Sequence, residues 1–408
     1  MLVIGAGLVG LALAWRLRRE GAEVTVVDSS GVGQGASFGN AGAISASSVA
    51  PLAMPGVLRQ VPKMLLDPAA PLHVPARYLF RAAPWFLRFV ASARPAHVVR
   101  AARALADLQA LAMEQHQVLA QEVGAPELIQ ARGHLHLYRN EAQLAKDAGS
   151  WELRRQHGGV FETIDRAAIA ALEPAVGPAY QIGQFMPDHG HCVNPYRYCL
   201  AIAEALEQAG GRILQDEILA IESADGKATG ATGRAGRYGA DAVVLAGGAW
   251  SARLLEPFGY RIPLESQRGY HITLCDPGLT IGRCIVPADR KVFITPMEGG
   301  IRVAGTVEFG GLERPPTPRR ARLLYDDARA VFPEATITEE NEFWMGHRPC
   351  LPESVPVIGP ASRLPGLWLA FGHGHLGLTG SAPTARLLAP AIMGQPANLD
   401  LSAYARWC

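Results

Sequence analysis

At 408 residues, the chain is long enough for two domains rather than one. Hydrophobic residues make up 49% and charged residues 18%, so it buries a sizeable core and is not disordered. Its 38 Lys+Arg against 37 Asp+Glu exclude the basic excess that nucleic-acid binding requires, and no apolar run is long enough for a membrane span.

The N-terminus, MLVIGAGLVG, has no basic stretch ahead of its apolar residues and reads as folded protein, not a signal peptide. Leu2–Ile4 is a short buried strand. Gly5, Gly7 and Gly10 follow it, then an apolar helix through Leu17 closed by Gly21. Glu23–Val27 is the next strand and ends at Asp28, completing a βαβ unit. Residues 51–95 are rich in proline and hydrophobics. Residues 98–123 read as one long helix, with Val98, Ala102, Leu105, Leu108, Ala112 and Leu119 near one face.

A second α/β stretch starts near Gly183. Asn194 and Pro195 supply a helix cap and a first-turn proline, and Gly210–Gly211 ends that helix. Arg212–Ile221 reads as a strand, and Asp241–Ala246 as a buried strand running into Gly247 and Gly248. Tyr270–Leu274, Val292–Thr295 and Ile301–Val307 are strand-like, with Glu298–Gly299–Gly300 as a turn, which suggests an antiparallel sheet in a separate domain. Residues 367–371 (LWLAF) return to a buried strand and lead into Gly372–Gly377 and a helix. The domains are therefore expected to interleave.

Gly5-x-Gly7-x-x-Gly10 lies where a dinucleotide fingerprint must lie, between strand and helix. The first glycine makes the turn, the second admits a pyrophosphate, and the third lets helix and strand pack closely. The helix N-terminus faces the phosphate charge. Leu8 and Val9 belong to that N-terminus. Asp28, 18 residues past the third glycine, suits ribose hydroxyls, with Ser29 beside it.

Two further segments favour FAD over NAD. Ser37, Phe38, Gly39, Asn40, Ala41 and Gly42 form a small-residue loop, continued to Ile44, that can run along an extended cofactor. Gly372, His373, Gly374, His375, Leu376 and Gly377 form a second glycine turn able to aim N–H dipoles at a flavin ring. Ala246, Gly247 and Trp250 follow a buried strand and fit a cofactor-lining turn. Ile218 and Gly346 complete the expected cofactor contacts.

The sequence resembles the D-amino acid oxidase-type FAD oxidoreductases, most closely the bacterial D-amino acid dehydrogenase branch. It is also similar to glycine oxidase and D-hydroxyproline dehydrogenase. The matching stretches are VIGAGLVG, SFGNAGAIS, VAPLAMPGV, LEPAV, AGGAWS, RGYHIT, FWMGHRPCLPESVPVIG and GHGHLG, in order along almost the whole chain. Members of the family carry a few more residues before the first strand, which puts the true start slightly upstream. The resemblance implies non-covalent FAD and oxidation of an amine beside a carboxylate. The expected fold class is α/β, or α+β overall. A Rossmann-like FAD-binding domain (1–50, 155–255 and 345–408) interleaves with a substrate domain on an antiparallel sheet plus helices (51–154 and 256–344).

Arg348, in the GHRP motif, takes from the resemblance the role of substrate-carboxylate anchor. A planar, permanently charged guanidinium suits that role. Tyr270 is expected to hydrogen-bond the carboxylate or close the pocket, with a half-buried sheet tyrosine as the plainer reading; His271 alternates to the other face. Of the two histidines flanking Gly374, His373 is favoured as the one at the flavin edge or substrate. His347 stands where the dehydrogenase branch often has an apolar residue, a departure that bears on substrate choice. His189, His191 and Cys192 sit close in sequence but lack further ligands at matching spacing, so no metal is expected. The six cysteines form no C-x-x-C pair and read as reduced thiols of a cytoplasmic protein; Cys350 does not match the offset at which relatives attach flavin.

The expected reaction is hydride transfer from the substrate Cα to flavin N5, the amine being neutral. The imine then hydrolyses to a keto acid and ammonia, or stays cyclic for a proline or hydroxy-D-proline. No strong general base is required. The acceptor is quinone or O2. Between residues 51 and 106 there are eight Lys/Arg and one acid, Asp67, interleaved with Leu65, Leu66, Tyr78, Phe80, Trp85, Phe86 and Phe89. The segment is read either as peripheral contact with the inner face of an anionic membrane or as ordinary amphipathic helices on the core. Three alternatives remain: a glycine/sarcosine-type oxidase using O2, a 2-hydroxy acid dehydrogenase with His373 as base, and a flavoprotein subunit of a larger complex.

Overall fold

In the computed structural model, which describes residues 1–55, 72–339 and 342–408, the short apolar runs near the N-terminus pair with runs hundreds of residues away. Strand Leu2–Ile4 lies between Thr25–Asp28 and Val243–Leu245, all parallel. Arg212–Gln215 extends the sheet on one side and Leu367–Phe371 on the other, with Val357–Pro360 as an antiparallel edge. The strands are apolar on both faces because both are covered. Val3, Val26, Val244 and Ala370 face helices Leu8–Arg19, Pro195–Gln208 and Gly377–Ile392. Leu2, Ile4, Val27, Val243 and Leu245 face a three-stranded sheet through Ile221, Ala228 and Ala231.

The second large sheet has nine strands and is mostly antiparallel. Its path runs Trp344–Cys350, Glu265–Leu274, Gly300–Phe309, Phe293–Met297, Cys284–Pro287, His134–Tyr138, Ile182–Met186, Glu162–Asp165. Leu72–His73 adds to Gly300–Phe309. Helix Pro318–Val331 covers one face, burying Leu324, Tyr325 and Ala328 against Tyr270, Ile272 and Val303.

The structure revises several expectations. The helix expected over 98–123 is two helices, Pro95–Gln109 and Ala112–Glu122. Both halves pack on Gly377–Ile392, and no proline or glycine marks the break, so the apolar period runs through it unaltered. The strand expected over 212–221 is also two strands, in different sheets. Between them Asp216 accepts hydrogen bonds from the Arg234 and Ala235 amides and the Tyr238 hydroxyl, which draws the chain off the parallel sheet. Strands Glu162–Asp165, Ile182–Met186 and Trp344–Cys350 belong to the nine-stranded sheet, although the expected boundaries gave most of those residues to the FAD-binding domain. Residues 95–130, expected in the substrate domain, bury Ala104, Leu108, Met113 and Leu119 in the core of the parallel sheet. The Asn194 cap is present: its Oδ1 accepts from the Arg197 amide at 3.0 Å. No helix among the described residues is long and apolar enough to cross a membrane.

Candidate active site

One continuous cavity of about 700 Å³ runs from the first glycine turn to the nine-stranded sheet. Gly5 adopts φ +111°, where a Cβ would lie 2.4 Å from the Ala246 carbonyl oxygen. A Cβ on Gly10 would lie 2.0 Å from the Gly5 carbonyl oxygen. These two glycines therefore bring helix, turn and neighbouring strand within backbone contact, and Gly10 acts through packing rather than by lining the cavity. The Leu8 amide, first in its helix, donates to Ser37 Oγ at 3.0 Å, which docks the second loop on the first. Asp28 faces the cavity while its two oxygens accept from the Ala6 and Ser30 amides, each at 2.8 Å, so it also braces the turn.

The cavity wall continues through Gly7, Val9, Ser29, Asn40, Ala41, Ile218, Ala246, Gly247 and Trp250. Gly42 and Ile44, expected as cofactor contacts, do not line it. Gly42 is packed on the Cys192 carbonyl and Ile44 is fully buried in the core. At the far end Gly372 and Gly374, both at positive φ, turn the strand Leu367–Phe371 into the helix Gly377–Ile392, with Leu376 on the wall between them. The two glycine turns thus open on one cavity, with a helix N-terminus and a carboxylate at one end. That arrangement fits an extended dinucleotide such as FAD.

Where the strand Trp344–Cys350 borders the cavity, Gly346 and Gly269 are partners in register. A Cβ on Gly269 would lie 2.3 Å from the Arg348 guanidinium carbon, so the absent side chain is what lets the guanidinium lie there. Arg348 Nη1 donates to the Thr306 carbonyl at 3.2 Å. Arg348 forms no ion pair with an acid among the described residues. Burial lowers its pKa from the usual value, but a guanidinium stays charged. The acidic side chains on the wall, Asp28, Asp216 and Glu217, all lie at the dinucleotide end; the nine-stranded sheet and its loops contribute Lys291 and Arg348. The substrate end is therefore positive.

Tyr270 borders the cavity, but its hydroxyl is engaged elsewhere. Its ring packs with Ile272 and Leu324 against helix Pro318–Val331. The hydroxyl donates to Glu308 Oε2 at 2.5 Å and accepts from the Thr317 amide at 3.0 Å. Glu308 is fully buried and also meets the fully buried Arg268, Nη1 to Oε2 3.4 Å. The tyrosine belongs to a structural polar cluster.

Both histidines of the GHGHLG turn border the cavity, but they differ in exposure. His373 is buried with Nε2 2.8 Å from Thr384 Oγ1, and its ring edges the helix at Gly380. His375 is the more exposed of the two and also lines the cavity. Burial, then the Arg348 charge, pushes its pKa down to about 4, so it is a neutral imidazole at pH 7. His347 also lines the cavity. Its Nδ1 is 2.8 Å from Ser266 Oγ, its ring edge meets Trp250, and burial holds it neutral with a pKa of about 4. His271 is turned away, hydrogen-bonded to the Gly39 carbonyl at 2.9 Å and stacked on Trp344.

Sequence reasoning missed Trp344, Phe293, Lys291 and Thr306, all on the wall. The signal available for Trp344 was its glycine neighbours: a Cβ on Gly39 or Gly346 would strike its ring. Cys350 is buried off the cavity, and burial pushes its pKa up to about 12. His189 and His191 are buried, and no group of three or more metal-ligating side chains occurs among the described residues.

A parallel sheet with this glycine turn, joined by one cavity to an antiparallel sheet whose arginine has no acidic partner among the described residues, defines a flavin-type oxidoreductase. Residues 1–391 match the family described as DAO, FAD dependent oxidoreductase, and the chain belongs to it. It is 35% identical, over 98% of its length and 97% of the relative's, to the D-amino-acid oxidase of Bradyrhizobium diazoefficiens. It is 34% identical to the D-amino acid dehydrogenase of Dechloromonas aromatica, covering 97% of each chain. The glycine oxidase of Bacillus cereus shares the fold, with a TM-score of 0.73 at 20% identity over 98% of this chain and 97% of that one.

Proposed function

We propose that this enzyme oxidises the Cα–N bond of a small D-amino acid, a D-imino acid such as hydroxy-D-proline included, with Arg348 anchoring the substrate carboxylate. The observation that carries the reading is a half-buried guanidinium with no acidic partner among the described residues, held at the edge of the cavity by Gly269 and Thr306. A partly buried charge without a partner is costly, and an incoming carboxylate supplies one. Bound FAD supplies the two-electron acceptor for the hydride leaving Cα.

The chain's own groups do the rest. Arg348 fixes the carboxylate, and with it the orientation of Cα. The substrate reacts with its amine neutral, so that the nitrogen lone pair drives hydride departure, and His375, a neutral imidazole open to the cavity, offers that nitrogen a hydrogen-bond partner. Trp344, Trp250 and His347 line the cavity towards the substrate end. Once released, the imine is hydrolysed to a keto acid and ammonia.

The test is anaerobic bleaching of the flavin by a panel of D- and L-amino acids, prolines and 2-hydroxy acids. D-amino or D-imino acids should bleach it, and Arg348→Met should raise the half-saturating concentration at least a hundredfold. Bleaching by hydroxy acids alone sinks the assignment.

For the acceptor, we infer a membrane quinone reached by peripheral docking. Helix Ala76–Ser92 bears no acidic residue and exposes Phe80, Leu87, Leu79 and Val90 beside Arg77, Arg81 and Arg88. Trp85, Phe86 and Phe89 of the same segment instead pack inward on Phe309, and Tyr78 donates to Glu265, so Phe80 alone of its aromatics is available to a membrane. Arg59, Lys63, Leu65, Leu66 and Asp67 lie outside the described residues.

A further inference from the structure

We infer that Thr306 is a substrate-binding residue whose hydroxyl donates to the same carboxylate that Arg348 holds; the inference rests on the amino-acid reading above. Thr306 lines the cavity, is 6% exposed, and its Oγ1 has no hydrogen-bond partner among the described residues. A buried hydroxyl left unpaired is a poor arrangement unless a ligand completes it.

The backbone there is unusual in the same direction. Thr306 has φ +56°, a left-handed conformation that a β-branched residue seldom adopts, in the middle of the strand Gly300–Phe309. The register with the strand Glu265–Leu274 shifts beside it, between Arg268 and Tyr270. Its carbonyl meets Arg348 Nη1 at 3.2 Å. One residue thus fixes the guanidinium through its backbone and leaves a donor free on its side chain.

The chemistry of the bound group leaves room for that donor. A fork of two guanidinium N–H groups takes one lone pair on each carboxylate oxygen, and the remaining lone pairs need other donors. The tyrosine that could have filled this place, Tyr270, is committed to Glu308 and Thr317. Both Glu308 oxygens are in turn engaged, by Tyr270 and by Thr317 Oγ1, so the Thr306 hydroxyl is not held by that acid.

The experiment measures anaerobic flavin reduction in the holoenzyme against concentration of D-alanine, D-proline and glycine. For the best of these, Thr306→Val should raise the half-saturating concentration about tenfold to a hundredfold, the range of one hydrogen bond to a charged group. The limiting rate and flavin spectrum should change less than twofold, and Thr306→Ser should restore binding. An unchanged half-saturating concentration in Thr306→Val, with saturation lost in Arg348→Met, overturns the role of Thr306 alone. If Arg348→Met also has no effect, or none of the three substrates reduces the wild-type flavin, the amino-acid reading fails and this inference with it. Should Thr306→Val not retain flavin, Thr306→Ala against Thr306→Ser decides the point: equal binding by the two overturns it.

Discussion

Two neighbouring residues, Gly269 and Tyr270, have opposite roles, and substitution separates them. Gly269 underlies the guanidinium of Arg348, so Gly269→Ala must push it aside. We expect saturation by amino acid to be lost in the steady-state assay while the protein still binds flavin. Tyr270→Phe should do the reverse. It strips a hydrogen bond from the fully buried Glu308 and should lower unfolding free energy by about 1–3 kcal/mol. The half-saturating substrate concentration should stay within twofold. If denaturant melts show no loss for Tyr270→Phe and substrate binding collapses instead, the tyrosine is at the site after all.

Legibility from sequence also divides at this scale. The first fingerprint was readable because its glycines, strand, helix and Asp28 lie within one local unit, and the geometry follows from spacing. The place of Arg348 on the cavity wall was readable through the family resemblance of its GHRP motif. The choice between His373 and His375 was not, because it depends on how one turn rotates as it enters the helix Gly377–Ile392. Thr306 was invisible for a related reason. Its role arises from a register shift between strand positions more than thirty residues apart, which no local pattern records.

At the scale of elements, helix Ala76–Ser92 is pinned on one side and bare on the other. Trp85 stacks on Phe89, packs on Phe309 and donates to the Cys350 carbonyl at 3.3 Å, which ties the helix to the strand that carries Arg348. Its outer face keeps Phe80 at 86% and Leu87 at 71% exposure. That combination predicts co-sedimentation with anionic phosphatidylglycerol vesicles at low salt, weakening as salt rises. Phe80→Glu with Leu87→Glu should abolish it without loss of amino-acid-driven bleaching. Wild-type protein that stays in the supernatant at low salt removes the membrane reading. The interleaved aromatics looked alike in sequence; only packing assigns three of them inward, because neighbouring helical positions differ in face by about 100°.

For the whole molecule, a buried histidine group ties the small sheet to the large one. The Ser47 amide donates to His189 Nε2 at 3.1 Å, so His189 carries its proton on Nδ1 and gives it to His134 Nδ1, also at 3.1 Å. His134 Nε2 then donates to the Gly190 carbonyl at 2.7 Å. Every position in this chain is taken in the neutral state. Burial lowers the pKa of His134 and His191 to about 4, and those of His136 and His189 well below 6.5. A histidine whose folded pKa is depressed binds its proton more readily when unfolded. Stability from these groups is therefore complete above pH 6.5 and is lost as pH falls from 6.5 towards 4. Each contributes a loss of up to about 1.4 kcal/mol per pH unit in that window. Denaturant melts at pH 7.0 and 5.5 should show the drop, and a flat profile would contradict it.

The pairing of Leu2 with Val243, and of Val243 with Leu367, has a consequence for how the protein is made. A ribosome delivering this polypeptide emits the phosphate-binding turn first and the strand that completes its sheet last. Until the strand Leu367–Phe371 emerges, the opening segment has no finished layer to join, and the nucleotide pocket does not exist. Premature termination near residue 350 should therefore yield material that never turns yellow, however intact its leading segment.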